Sequence, residues 1–142
     1  MEQSGSQKWA RGSIRIISES MTAQEISDAV GLQPTRMVEK GTQAQTRSGK
    51  GAIWTASTWL LDSGLPSTAP GEEHVETLVR ILESREETIG QLAARCRIEL
   101  FIGYSSDNGQ GSLVFDHGIL RRLAQLPVDI VLDLYPPTAE DE

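Results

Sequence analysis

The stretch VDIVLDLY, residues 128–135, is the clearest indication of the fold, because its apolar and polar side chains largely alternate along the chain. Alternation with a period of two is typical of a half-buried β-strand. The pattern places Val128, Ile130, Leu132 and Leu134 on one face, which we predict to be the core face. Residues 95–104 alternate in the same way, so both segments are predicted strands of one sheet.

Three helices are predicted between the strands from their end signals and apolar spacing. Thr22 and Glu25 form the capping box of a first helix, and Gly31 stands where its C-terminal cap is expected. A long second helix is predicted over residues 72–92, because apolar residues recur there at helical spacing. Asp116 can cap a third, shorter helix.

The predicted element order is β-α-β-α-β-β-α-β, which includes further strands at residues 13–18, 53–62 and 112–115. The pair Asn108-Gly109 is a strong hairpin signal before the last of these strands. This order indicates an α+β fold, a two-layer sandwich related to the ferredoxin-like fold. Its helices are expected on one face of a mainly antiparallel sheet.

The length of 142 residues suits one domain, which can bury roughly 68–70% of its unfolded surface. We predict a flexible segment at residues 1–12, a single α+β domain at 13–136 and an acidic tail at 137–142. The sequence shows neither a signal peptide nor the run of ~20 apolar residues that a membrane helix needs. The predicted location is therefore the cytoplasm, with no membrane contact.

Charge is unevenly distributed along the chain. The net charge of −7 and the isoelectric point near 4.8 argue against binding to nucleic acid phosphates. Residues 33–52 are the exception, because four basic side chains and one acidic side chain give this polar segment a charge of +3. The four basic residues are Arg36, Lys40, Arg47 and Lys50.

Several short stretches together resemble a known family. They are GLQPT at residues 31–35, Lys40-Gly41, Trp59 followed by Ser63, and LAQLPVDIVLDLY at residues 123–135. With the capped first helix, they are similar to the bacterial domain of unknown function DUF4279 over residues 13–135. The resemblance supports the fold, and the family name implies no activity.

No residue pattern points to catalysis. Cys96 falls in phase with the core face of its strand, so we interpret it as a buried, inert thiol. His74 and His117 are predicted surface residues near helix starts, and their spacing is not that of zinc ligands. We therefore predict no enzyme activity, no metal and no cofactor.

The leading hypothesis is a non-catalytic protein-binding domain, an immunity or antitoxin-type factor that sequesters a basic, nuclease-like toxin. Its predicted contact residues are Glu99, Tyr104, Asp107, Asn108, Asp129 and Asp133. The alternative is a small-molecule or anion-binding sensor that uses Arg36, Lys40, Arg47 and Lys50 in the loop of residues 33–52. Either a monomer or a homodimer fits both hypotheses.

Overall fold

A strand of 12 residues begins the fold and runs through the centre of the main sheet. The computed structural model of the chain describes residues 7–135, so the predicted acidic tail at 137–142 lies outside the described residues. In chain order the elements are β1 (Gln7–Ser18), α1 (Ala23–Val30), β2 (Arg36–Val38), β3 (Gln43–Thr46), β4 (Gly49–Ile53), β5 (Ser57–Asp62), α2 (Gly71–Ser84), α3 (Glu86–Leu92), β6 (Arg97–Ser106), α4 (His117–Ala124) and β7 (Asp129–Tyr135).

The main sheet has the strand order β2-β5-β1-β6-β7 and is mainly antiparallel. β1 pairs antiparallel with β5 and β6, and β2 pairs antiparallel with β5. β6 and β7 are parallel, and α4 supplies the crossover that a parallel pair needs. The predicted α+β class is confirmed, but the observed order contains more elements than β-α-β-α-β-β-α-β.

The hydrophobic core lies between one face of the main sheet and the helices. Ile14 and Ile16 of β1 and Leu100 and Ile102 of β6 alternate onto this face and are fully buried. They form one cluster with apolar residues of all four helices: Ile26, Val30, Val75, Leu78, Val79, Leu82, Ile89, Leu92 and Leu123. Burial of one such side chain contributes roughly 1.5–3 kcal/mol. The core therefore holds the helices on one face, as predicted.

The predicted caps of α1 are confirmed. Thr22 Oγ1 accepts a hydrogen bond from the Glu25 backbone N–H at 3.0 Å, and Glu25 Oε1 accepts one from the Thr22 N–H at 2.9 Å. Gly31 ends the helix with φ at +75°, a conformation that disfavours residues with a Cβ atom. Residues close in sequence therefore mark where this helix begins and ends.

Residues 33–52 are more ordered than the predicted loop. β2 joins the main sheet, and β3 and β4 form a separate hairpin. Glu39 attaches this segment to α1, because its carboxylate accepts hydrogen bonds from the backbone N–H groups of Ala23 at 2.8 Å and Gln24 at 3.1 Å. The Ser57 hydroxyl donates a third at 3.1 Å.

The Ala23 N–H at the positive end of α1 has the largest effect on the pKa of Glu39, which it lowers. Burial opposes this with a smaller effect, and the Gln24 N–H and the Ser57 hydroxyl lower the pKa further. We expect Glu39→Gln to lower the free energy of unfolding by about 1 kcal/mol at neutral pH, as loss of a helix cap does. Glu39 is solvent-exposed, so water screens its long-range charge, and the loss comes mainly from these hydrogen bonds to the charged carboxylate.

The stabilisation by Glu39 is fully present above the ordinary pKa of 4.5 and is lost as the pH falls through the lowered pKa of the folded state. Urea unfolding of both proteins at neutral pH and well below pH 4.5 checks this. The gap between them should close in acid, and an equal gap at both pH values would contradict the assignment.

The N-terminal prediction was wrong for residues 7–12, which belong to β1. Ala10 and Gly12 lie on the core face, and the backbone of this segment pairs with Tyr104 and Gly103 of β6. The polar composition of residues 7–12 gives no strand signal of its own. The strand forms by pairing with β6, about ninety positions away in the chain. Residues 1–6 lie outside the described part.

Two other predicted elements differ from the structure. The long helix is interrupted at Arg85, whose backbone leaves the helical region and whose Nε donates to the Val30 carbonyl at 2.9 Å. Residues 112–115 are not a strand. Asn108 Oδ1 instead accepts a hydrogen bond from the Gln110 N–H at 3.0 Å, which closes a local turn where a hairpin was predicted.

The burial of β7 was also predicted incorrectly. Ile130, Leu132 and Leu134 lie on the helix side of the sheet, but they are 40%, 47% and 65% exposed. β7 is the last strand of the sheet, and of α4 beside it only Leu123 is buried. The alternating pattern identified the strand correctly, whereas burial depended on what covers it.

Candidate functional site

The face of the main sheet opposite the helices is the candidate site, and we call it the open face. It is formed by the odd-numbered residues of β1, β6 and β7 and the even-numbered residues of β2 and β5. Within residues 7–135, the helices pack around the core on the opposite face, and none covers this one. The open face therefore presents side chains from five strands on one surface.

Charge changes sign across the open face along a single row of paired residues. The registers place Arg36 of β2 beside Leu60 of β5, and Leu60 beside Arg15 of β1. Arg15 is paired with Glu99 of β6, and Glu99 with Asp129 of β7. We call the β2, β5 and β1 side of the open face its basic half and the β6 and β7 side its acidic half. Each half also contains one residue of the opposite charge, Asp62 of β5 and Arg97 of β6.

The acidic half brings together three of the predicted contact residues, Glu99, Asp129 and Asp133. Glu99 is only 9% exposed and forms an ion pair with Arg97 at 3.0 Å. Asp133 accepts a hydrogen bond from the Tyr135 hydroxyl at 2.6 Å, and this bond raises the pKa of Tyr135. Asp129 is exposed, which makes it the most available carboxylate of the three.

The structure does not place the other predicted contact residues on the open face. Tyr104 points to the helix side and is buried, because even-numbered residues of β6 face the core. Asp107 and Asn108 lie in the turn that follows β6. Tyr104 lines a groove of about 440 Å³ on the helix side with the exposed Leu132 and Leu134.

The basic half contains three arginines that lie against aromatic rings. The guanidinium carbon of Arg15 is 3.6 Å from the ring centroid of Phe101. Arg11 lies 4.9 Å from the centroid of Trp9, and Arg36 lies 5.8 Å from that of Trp54. None of the three arginines forms an ion pair with a carboxylate in residues 7–135. Their charges are therefore not balanced by a direct contact with a carboxylate in this part of the chain.

Sequence reasoning missed Arg11, Arg15 and Trp9 as site residues. The available signal was the two-residue period, which places these odd-numbered positions on one face once the strand is extended to residue 7. Of the predicted anion-binding residues, Arg36 lies on the open face, and Lys40 donates to the Glu19 carbonyl at 3.1 Å. Arg47 and Lys50 lie on the separate β3–β4 hairpin.

Of the three titratable residues considered for catalysis, His117 is exposed as predicted, whereas His74 and Cys96 are enclosed by the fold. His74 is 1% exposed, which corrects its predicted surface position, and its Nδ1 hydrogen-bonds the Ser63 hydroxyl at 2.7 Å. Burial lowers the pKa of His74, which favours the neutral ring. Cys96 is partly buried beside Met21, and burial raises the pKa of its thiol. The raised pKa disfavours the reactive thiolate.

Residues 7–135 contain no group of three or more histidine, cysteine, aspartate or glutamate side chains arranged to hold a metal ion. Nor does any helix there combine the length and apolar character needed to cross a membrane.

The sheet and its open face define a class of protein, a small α+β domain with helices on one face and charged and aromatic side chains on the other. The family model described as "Domain of unknown function (DUF4279)" matches residues 8–137. The chain belongs to this family, which confirms the resemblance found in the sequence. Comparisons with curated proteins and with solved structures found no match.

Proposed function

We propose that the protein is a non-catalytic, cytoplasmic protein-binding domain that uses the acidic half of its open face. The observation that carries the proposal is the alignment of Glu99, Asp129 and Asp133 on two neighbouring strands of one uncovered sheet face. Carboxylates grouped in this way attract a basic surface and accelerate encounter. The net charge of −7 acts in the same direction at longer range.

The partner in this proposal is a basic protein, such as a nuclease-like toxin that an immunity or antitoxin-type factor neutralises. Binding would mask the basic residues that a nuclease needs to hold nucleic acid phosphates. The protein itself is not proposed to bind nucleic acid. It acts as a monomer or as a homodimer.

Anion binding by Arg36, Lys40, Arg47 and Lys50 is the alternative function, supported by their positive charge in an acidic chain. Titration with inorganic phosphate tests it.

For the fold, we propose a relationship to the ferredoxin-like sandwich. β5 and β6 flank β1, are parallel to each other and are joined through α2 and α3, which is a split β-α-β unit.

Affinity capture from source-cell lysate at low and high salt tests the main proposal. A stoichiometric basic protein that salt releases supports it. Once that protein is identified, we expect Asp129→Lys and Asp133→Lys each to weaken its binding about tenfold without unfolding the chain. Each substitution reverses a charge at the proposed contact. Surface plasmon resonance measures the affinity.

Asp28→Lys is the matched control, because it makes the same change in net charge at an exposed position of α1, away from the open face. Asp28 lies near the C-terminal end of the helix, where a basic side chain is tolerated. If Asp28→Lys weakens binding as much as Asp129→Lys does, net charge and not the open face explains the attraction, and the proposal fails.

A further inference from the structure

A groove on the basic half of the open face has the shape and composition of a small-molecule site. It is lined by Arg15, Ile17, Arg36, Val38, Trp54, Thr58 and Leu60. We call it the Trp54 groove. Its volume is about 210 Å³, and a neighbouring cavity of about 550 Å³ shares Ile17, Thr58 and Trp54 with it. Together they reach the size of typical ligand pockets.

Neither arginine of the Trp54 groove forms an ion pair within residues 7–135, although Arg15 lies against the ring of Phe101 and Arg36 against that of Trp54. The Nε atom of Arg15 is buried and has no hydrogen-bond partner among the described residues. Glu99, the carboxylate paired across from Arg15, is bound by Arg97 at 3.0 Å. A buried N–H group without a partner is rare in native proteins. A carboxylate or phosphate group would accept hydrogen bonds from the paired N–H groups of a guanidinium.

The remaining surface of the Trp54 groove is apolar or aromatic. Ile17 and Leu60 would contact a hydrocarbon surface, and the indole of Trp54 offers a flat face for a ring. No acidic residue lines the Trp54 groove, and Glu19 is the one acidic residue that lines the neighbouring cavity. The basic charge of residues 33–52, in which Arg36 lies, would attract an anion despite the acidic chain.

We propose that the Trp54 groove binds a small organic anion, in which a carboxylate or phosphate group is attached to a flat apolar ring. Arg15 and Arg36 bind the anionic group, and Trp54 packs against the ring. This activity is separate from protein binding by the acidic half, and either can hold without the other.

Isothermal titration calorimetry of the full chain at low salt with benzoate, phenyl phosphate and inorganic phosphate tests the proposal. We expect benzoate or phenyl phosphate to bind, and the tighter of the two identifies the anionic group. Inorganic phosphate should bind at least about tenfold more weakly, because it makes no apolar contact. In NMR spectra, the Trp54 indole N–H signal, identified by its loss in Trp54→Phe, should shift on binding.

Arg36→Gln should weaken binding about tenfold, because a hydrogen bond between charged groups is lost, and Arg15→Gln should do the same. Arg36 is exposed, so its substitution should leave the fold intact even if Arg15→Gln perturbs it. Arg121→Gln, at an exposed position on α4, is the matched control and should not change affinity.

Three results would overturn the proposal: no binding of either organic anion, equal binding of inorganic phosphate, or affinities that Arg36→Gln leaves unchanged. Asp129→Lys separates the two activities. It should weaken capture of a basic protein and leave the affinity of the organic anion at least as high as before. Failure of protein capture alone therefore counts only against the proposed protein-binding function.

Discussion

Trp59→Ala is expected to lower the free energy of unfolding by about 3–5 kcal/mol, which is a large part of the stability of a small domain. Trp59 is 1% exposed and lies on the core face of β5, opposite Ile16 of β1. Its ring borders side chains from α1 and α3, including Val30 and Ile89. Removal of the indole would leave a cavity where the sheet meets two helices. Urea unfolding followed by circular dichroism measures the change.

Trp59→Phe is the informative companion variant. The indole Nε1 of Trp59 is buried and has no hydrogen-bond partner among the described residues. Phenylalanine removes this unpaired donor and keeps most of the apolar ring, so we expect a loss of no more than about 1–2 kcal/mol. If Phe and Ala destabilise the protein equally, then the indole N–H has a role that packing does not explain.

Gly12→Ala is expected to lower the free energy of unfolding by about 1–3 kcal/mol, because α2 packs directly over the glycine. A Cβ atom at this position would lie 2.9 Å from both His74 Cβ and Leu78 Cδ1, and 3.3 Å from Ile102 Cδ1. The His74 Cβ is attached to the helix backbone and cannot turn aside. The helix must therefore shift away from the sheet, and thermal unfolding measures the loss.

Gly90→Ala is the matched control for Gly12→Ala. Gly90 is exposed on α3, and a Cβ atom there would meet nothing within 4 Å. Alanine has a higher helix propensity than glycine, so this substitution should raise stability by about 0.5–1 kcal/mol. The same chemical change thus has opposite expected signs at the two sites. A neutral or stabilising Gly12→Ala would show that α2 does not pack as closely as described.

The regular strands could be predicted because their side chains alternate regardless of their neighbours. Ile98, Leu100 and Ile102 are buried as the period of two requires. For the same reason Asp129 and Asp133 lie on one face of β7. Glu99 joins them only because β6 pairs with β7.

Other features depended on contacts between distant segments. The break at Arg85 has no glycine or proline to announce it, and it coincides with a hydrogen bond from Arg85 to the Val30 carbonyl of α1. His74 is buried because α2 places it over Gly12. Leu132 and Leu134 are exposed because β7 lies at the edge of the sheet. No local pattern encodes these outcomes.

The α+β class, the capping box and terminal glycine of α1, and the side of each strand on which a residue lies follow from the sequence alone. These features depend on hydrogen bonds within a few residues and on the pleat of the backbone. The neighbours of each strand, in contrast, are set by tertiary contacts. Strand pairing joins Arg36, Arg15 and Asp129 in one row although the chain separates them widely. The basic and acidic halves of the open face exist because of that pairing.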